Sequence, residues 1–498
     1  MVRMIHFSDM KAIKRYKKLI LILPLLALAG CEDFLSKEPD STRAIINTPK
    51  QVSQLLTTAY PQAGYIVFSE GMSDNVADKG QGQDDKTNRG SFLFEIVEAT
   101  VDEQDSPDQY WAECYRAISV ANEALDIISK MPNPAEYNAQ KGEALLARAY
   151  AHFMLVNYYC QFFDPQATND SPGIPYVTVP EDVVIKQYER GTVAGVYQAI
   201  EADLLEGLPL ISDGTYTVPK YHFNLAAANA FASRFYLVKK DYQKVLQYAN
   251  AAIPGSFAEN MRPWNTTYSS MSPAELFNIY SRATENANLL LVETSSTYGR
   301  YVASYRYGMT YAKWQEISAS EQAIAGNASW AFPLYYRGDN NYFIPKLTEY
   351  FVRESVNAEI GLPYVMLPAF TVEEVLFNRI EANAYLNNTT ASLADLNTYV
   401  SKRVSNYDAA THRVTATSLN SYFRTGNARN NIIEAVLAFK RVEFVQEGMR
   451  WFDIQRYKRA VTHTTRAGSV ISVPAGDPRR VLQIPQTAAI SGIQQNPR

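Results

Sequence analysis

The sequence predicts a mainly α-helical protein, in which tetratricopeptide-like helix pairs form a curved scaffold and a loop-rich irregular region forms a separate face. Three observations carry that expectation. Between Asp108 and Lys130, Trp111, Tyr115, Ile118, Ala121, Leu125 and Ile128 recur at spacings of three and four, the period of an amphipathic helix. The segment "NLAAANAFASRFYLVKKDYQKVLQYANAAI" (224–253) reads as helix, short turn, helix, with alanines on the face that must approach a neighbour. Between 255 and 370 the helical period fades, and Pro, Gly, Asn and Tyr dominate.

The chain starts with a cationic stretch, "KAIKRYKK", and an apolar run from Leu19 to Ala29. A spanning helix needs roughly twenty apolar residues, so this run is too short and reads as a secretory signal. It ends in Leu28-Ala29-Gly30-Cys31, which resembles a bacterial lipobox. Cys31 is therefore the expected lipidation site and mature N-terminus, with residues 1–30 removed and several acyl chains anchoring a domain that no helix spans. The residues before Met10 are superfluous to such a signal, and translation is expected to start at Met10. Removing residues 1–30 takes away six Lys/Arg and one Asp, which turns a formal charge of −4 into −9. An acidic body argues against nucleic acid as a partner, because nucleic acid selects basic surfaces. Cys114 and Cys160 fall in helical sequence. One disulfide is open to them, although such cysteines more often act as small buried hydrophobes.

Along the chain, residues 32–49 read as a tether, and a short helix starts near Thr48. Residues 69–91 are polar and aperiodic, and read as a long loop of the kind that is often functional. A second long helix is expected over 135–160, a proline-rich break follows, and helix resumes at Thr192. In the pair at 224–253 the usual turn glycine is replaced by lysine. A second pair is expected at 371–403, where Thr371 and Glu374 suit a capping box and leave Glu373 and Glu374 no catalytic duty. Residues 255–370 are expected to hold loops, a few short helices and a hairpin. Helix returns from about Asn430 to Tyr457, before an extended tail.

Several motifs then coincide. "CEDFLSKEPDS", "YWAECYRAISVANEAL", "GEALLARAYAHFMLVNYY", "KRVEFVQEGMRWFDIQRY" and a closing "IPQ…NP" resemble the SusD/RagB family over essentially all of residues 31–498. The resemblance implies an N-terminal part at about 31–225 and a C-terminal part at about 226–498. It also implies a lipoprotein of the Gram-negative outer membrane, facing the cell exterior. Such a protein would bind oligosaccharide, or in some members peptide, and cap a SusC-like TonB-dependent transporter. The chain departs from the pattern at Phe439-Lys440, where Glu-Arg is usual, which puts one ion pair in doubt. Within the EGMRWFD motif, Glu447/Arg450 and Asp453/Arg456 stand at i, i+3 and are expected to pair locally. Trp451 and Phe452 are expected to pack and Gly448 to permit close helix approach, so the motif is read as structural.

No catalytic set, metal ligand set or cofactor motif is legible. The five histidines show no HExxH spacing, and no nucleophile elbow or phosphate loop occurs. Asp74 and Asp84-Asp85 could supply a glycosidase pair, but acids in a polar loop are ordinarily solvated. Binding suits the composition better. A sugar ring offers an apolar face and a rim of hydroxyls, which suits flat aromatic rings beside planar polar groups. The expected ligand residues are Trp330, Tyr336, Arg337, Asp339, Asn340 and Tyr305 in the middle region, with Asp74 and Asn75 in the early loop. Trp330 is the leading platform, and a buried plug for its own loop is the alternative. A protein-assembly scaffold and a surface hydrolase are the competing functions.

Overall fold

The computed structural model describes residues 46–498 apart from 182, 184 and 354, so the expected signal segment and Cys31 lie outside the described residues. Several helices begin where the sequence supplies a side-chain acceptor. α1 (Pro49–Leu56) opens with Thr48 and Gln51 in a capping box. α2 (Ile66–Gly71) is short and wholly buried. α3 (Lys86–Leu93) is capped by Asp85, whose carboxylate accepts the Asn88 N–H at 2.7 Å. α4 (Pro107–Ser129) combines a Ser106 cap with Pro107 in its first turn. Caps of this kind stabilise a helix by about 1 kcal/mol.

α5 (Asn138–Tyr159) is buried at every residue from Gly142 onward. A helix buried on every side belongs in the middle of a fold; its Glu143, Arg148, His152 and Asn157 find partners there, and α4 and α6 (Val193–Gly207) pack on its two sides. α5 and α6 meet at glycines. A Cβ on Gly142 would lie 2.9 Å from the Gly207 carbonyl oxygen, and one on Gly207 would lie 3.0 Å from that of Gly142. The expected pairs follow as α7 (Leu225–Lys239) with α8 (Tyr242–Ala252), and, beyond α9 (Pro273–Tyr280) and α10 (Tyr311–Ile324), as α11 (Val372–Tyr385) with α12 (Thr389–Ser401). α8 packs on α11, and α11 on α14 (Ala428–Glu443), which also carries α10 and α13 (Ala416–Phe423). These are the stacked helix pairs the sequence predicts. Cys114 and Cys160 are free and buried.

Three expectations about the elements need correction. First, the 69–91 stretch is not one long loop. α2 and α3 enter it from both ends, and β1 (Ala77–Asp78) crosses it. Several of its polar residues bond distant backbone; Asn88, for example, donates to the Tyr307 carbonyl at 2.8 Å and accepts the Tyr307 N–H at 3.1 Å. Second, residues 255–370 contain a real sheet. β2 (Asn288–Ser295), β6 (Glu349–Arg353) and β7 (Gly361–Thr371) pair antiparallel in the order β2–β7–β6. Pro363 and Pro368 hid β7, since proline argues against a strand; Pro368 sits opposite Leu291, where the register shifts. Two-residue ladders add β3 (Tyr307–Gly308) on β1, and β4 (Tyr335–Tyr336) on β5 (Tyr342–Phe343). A last hairpin pairs β8 (Val461–Thr464) with β9 (Val470–Val473). Third, the C-terminal helix is broken. α14 ends at Glu443 and α15 (Arg450–Arg456) restarts after a turn in which Gln446 (φ 66°) and Gly448 (φ 76°) are left-handed.

The turn serves a buried web of charge. Glu443 pairs with Arg403 at 2.6 Å, and Glu447 with Lys346 at 2.6 Å. The expected Glu447/Arg450 pair does not form, because Arg450 reaches Asp74 at 2.8 Å instead. Asp453/Arg456 does form at 3.1 Å, and Arg456 also holds Glu381 at 2.7 Å. Lys440, the departure from the family pattern, still pairs with Asp453 at 2.7 Å. The capping box at Thr371 is half formed. Its hydroxyl accepts the Glu374 N–H at 3.4 Å, while the Glu374 carboxylate turns to Arg234 at 2.5 Å. Glu373 pairs with Arg262 and Arg403, both at 3.0 Å. Breaking one such buried pair typically costs 3–5 kcal/mol, because the surviving charge is stranded.

Candidate functional site

The exposed aromatic surface stands on the β4–β5 hairpin. Its strands put Tyr335 opposite Phe343 and Tyr336 opposite Tyr342. Neighbouring strand residues face opposite sides: Phe343 turns inward onto Phe277, with ring centroids 6.1 Å apart, while Tyr336 is left 62% exposed. The tip is a tight turn in which Gly338, Asp339 and Asn340 are all left-handed, and Arg337 donates its N–H to the Asn341 carbonyl at 2.9 Å. The buried turn before α15 sets the hairpin in place. The Gln446 side chain accepts the Ile344 N–H at 3.0 Å and donates to the Tyr342 carbonyl at 3.3 Å.

Tyr336 and Tyr342 have ring centroids 5.1 Å apart, and Tyr342 and Tyr311, the first residue of α10, 5.6 Å. The three rings form a row, with Tyr311 itself 49% exposed. Beside the row, Asp339 and Asn340 face Lys79, Gly80, Gln81 and Arg466 across a depression of about 360 Å³. Lys79 donates to the Asn341 amide oxygen at 2.5 Å and the Ala303 carbonyl at 2.8 Å. Burial pushes its ammonium down to about 8. Aromatic faces, amides, a carboxylate and cationic donors thus border one open surface, a chemistry able to stack on a ring and hydrogen-bond its hydroxyls.

The structure brings Tyr336, Arg337, Asp339 and Asn340 together on this hairpin. It places the other four expected residues elsewhere, with their side chains already engaged. Trp330 is half-buried, its ring 5.5 Å from Phe439, 5.9 Å from Tyr399 and parallel to Phe332. It plugs the segment that bridges to Val404. Tyr305 is buried against Tyr298 and Tyr301. Asn75 is buried between Arg441 and Glu70. Burial would raise the Asp74 carboxyl, but hydrogen bonds and charge from Arg450, then Arg441, hold it well below the usual carboxylate range. Tyr311, Tyr342, Lys79, Gln81 and Arg466 were missed. "YYRGDNNYF" carries the signal for part of this set: two aromatic pairs flanking Gly-Asp-Asn turn chemistry describe a hairpin.

Comparison with known proteins gives two family models. One, described as starch-binding and associating with the outer membrane, matches residues 33–237, and the SusD family model matches residues 306–473. No curated protein sequence matches the chain. Among solved structures, a SusD superfamily protein from Bacteroides vulgatus is 18% identical, with TM-score 0.66 over 91% of this chain and 99% of its own. A putative sugar binding protein from the same species is 20% identical, with TM-score 0.64 over 91% and 99% of the two chains. A laminarin binding SusD-like protein is 17% identical, with TM-score 0.59 over 91% and 99%. At these identities the structures speak for the fold, and with the family models matching both halves of the sequence, the chain belongs to the SusD/RagB family.

Proposed function

We propose that this protein binds oligosaccharide at the Tyr336–Tyr342–Tyr311 face and delivers it to a SusC-like TonB-dependent transporter of the outer membrane, without turning it over. The observation that carries the reading is the row of tyrosine rings, exposed at Tyr336 and Tyr311 and half-buried at Tyr342 between them, bordered by Asp339, Asn340 and Arg337. The starch-binding description of the N-terminal family model and the laminarin-binding neighbour support a glycan over other ligands. No helix among the described residues is long and apolar enough to cross a membrane; the proposed anchor is lipid on Cys31, holding the domain on the cell exterior.

Calorimetry against a panel of glycans and peptides tests the ligand. Binding of a glycan that is recovered unchanged supports the proposal. Turnover makes the protein a hydrolase, peptide binding alone replaces the ligand class, and silence across the panel favours an assembly scaffold. Cys31→Ala tests the anchor: the protein should leave the detergent phase or retain its signal, and unchanged partitioning would rule lipidation out.

A further inference from the structure

A second concavity lies on the scaffold, where α5, α7, α11 and α15 all end. It is a cleft of about 390 Å³, within the range of small-ligand sites. One wall is a tyrosine pair: Tyr242 and Tyr385 stack with centroids 4.2 Å apart and ring planes 4° from parallel. Four cations line it, Lys240, Arg456, Lys458 and Arg480, against two carboxylates, Glu381 and Asp164. Both carboxylates are occupied from within. Glu381 accepts from Arg456 at 2.8 and 2.7 Å and from the Tyr457 hydroxyl at 2.7 Å. Asp164 accepts from Lys458 at 2.7 Å and the Gln166 N–H at 3.1 Å. The cleft thus holds an excess of positive charge in an acidic protein.

The two lysines add an independent observation. Lys240 follows α7 at φ 58° and Lys458 follows α15 at φ 50°. Left-handed backbone after a helix is where glycine or asparagine is normally found, since other side chains strain there. Lysine gains a little at a helix C-terminus from the dipole, but so would a lysine one turn earlier without the strain. Lys240 lies close enough to the Lys458–Asp164 pair for its charge to help lower the Asp164 carboxyl. Both strained positions put a lysine at one cleft, Lys458 held on Asp164 at 2.7 Å and Lys240 beside that pair, and such backbone outliers are the kind from which function is inferred.

We propose that this cleft is a second binding site, separate from the tyrosine face, for a sugar acid whose carboxylate lies toward Lys240 and Lys458 and whose ring lies along the Tyr242–Tyr385 wall. The test is calorimetry on the detergent-solubilised full chain with galacturonic acid, with galactose as the neutral probe and inorganic phosphate as the bare anion. In the Tyr336→Ala background, which disables the tyrosine face, galacturonic acid should bind and galactose should not. The double variant Lys240→Asn, Lys458→Asn should weaken binding roughly tenfold or more. It should keep or raise the melting temperature, since asparagine accepts the left-handed backbone. Tyr336→Ala should leave galacturonic acid binding unchanged, which separates this site from the tyrosine face. No binding of galacturonic acid, equal binding of galactose, phosphate binding as tightly as the sugar acid, or a double variant that binds like the wild type would each overturn the proposal.

Discussion

At the scale of single residues, exposure decides which aromatics can meet a ligand. Tyr336 is 62% exposed on a hairpin whose inner face is held by Phe343, so its ring is free to be covered. Tyr336→Ala should weaken glycan binding by about 1–3 kcal/mol, the worth of burying one large side chain, with an unchanged melting temperature. Calorimetry beside a thermal melt checks both. Trp330→Ala should do the reverse, because its ring packs on Phe439 and Tyr399. Trp451 is 1% exposed, with the Arg480 guanidinium 5.3 Å from its ring and Phe94 6.1 Å away. Trp451→Ala should cost about 3–5 kcal/mol, measured as a fall in unfolding free energy in urea; a variant that kept its stability but lost ligand binding would place Trp451 in the site.

At the scale of elements, the turn between α14 and α15 couples scaffold to site. Glu70 accepts the Glu447 and Gly448 N–H groups at 3.1 and 3.0 Å, and Ser69 donates to the Gly448 carbonyl at 2.6 Å. Gln446, two residues earlier, pins the base of the β4–β5 hairpin. Gly448 is needed twice over. Its φ is 76°, and a Cβ would sit 3.0 Å from the Tyr65 ring and 3.2 Å from the Ile66 Cα. Gly448→Ala should therefore lower stability by about 1–3 kcal/mol. Because the turn shifts with it, glycan affinity should fall as well, and a melt with calorimetry on the same variant reads both effects.

At the scale of the whole molecule, burial makes stability depend on pH. His152 lies on the central helix α5 with both ring nitrogens in use: Nε2 accepts the Val177 N–H at 3.1 Å and Nδ1 donates to the Arg148 carbonyl at 2.8 Å. Burial foremost, then the Arg148 charge, lowers its pKa from 6.5 to about 3. As pH falls below about 6.5 the unfolded chain takes a proton that the folded chain refuses, so stability from this group declines until about pH 3. Linkage limits one group to roughly 1.4 kcal/mol per pH unit, so His152 should account for about 2 kcal/mol of loss between pH 7 and pH 5. Unfolding free energies across that interval should show a shallower slope for His152→Gln than for the wild type. Equal slopes would mean that the histidine is protonated in the folded state.

The helical scaffold, the family and the structural character of the EGMRWFD motif were all legible in the residues alone. Helical periodicity, caps such as Ser106 and Pro107, and alanine-lined pairs are local properties, written within a few residues of where they act. The motif's partners were legible only where they are local, as for Asp453 and Arg456. Glu447 goes to Lys346 and Arg450 to Asp74 only once the chain has folded, because those partners lie 101 and 376 residues away in sequence. The fold also sets which polar and aromatic residues are free. Asp74, Asn75, Tyr305 and Trp330 have the residue types a sugar site needs, and each is occupied by contacts from distant segments. Tyr336, Asp339 and Asn340 have the same chemistry but stand exposed on a hairpin that none of the described residues covers. Composition reports what a side chain can do; whether it is available depends on non-local packing, which no short stretch of sequence contains.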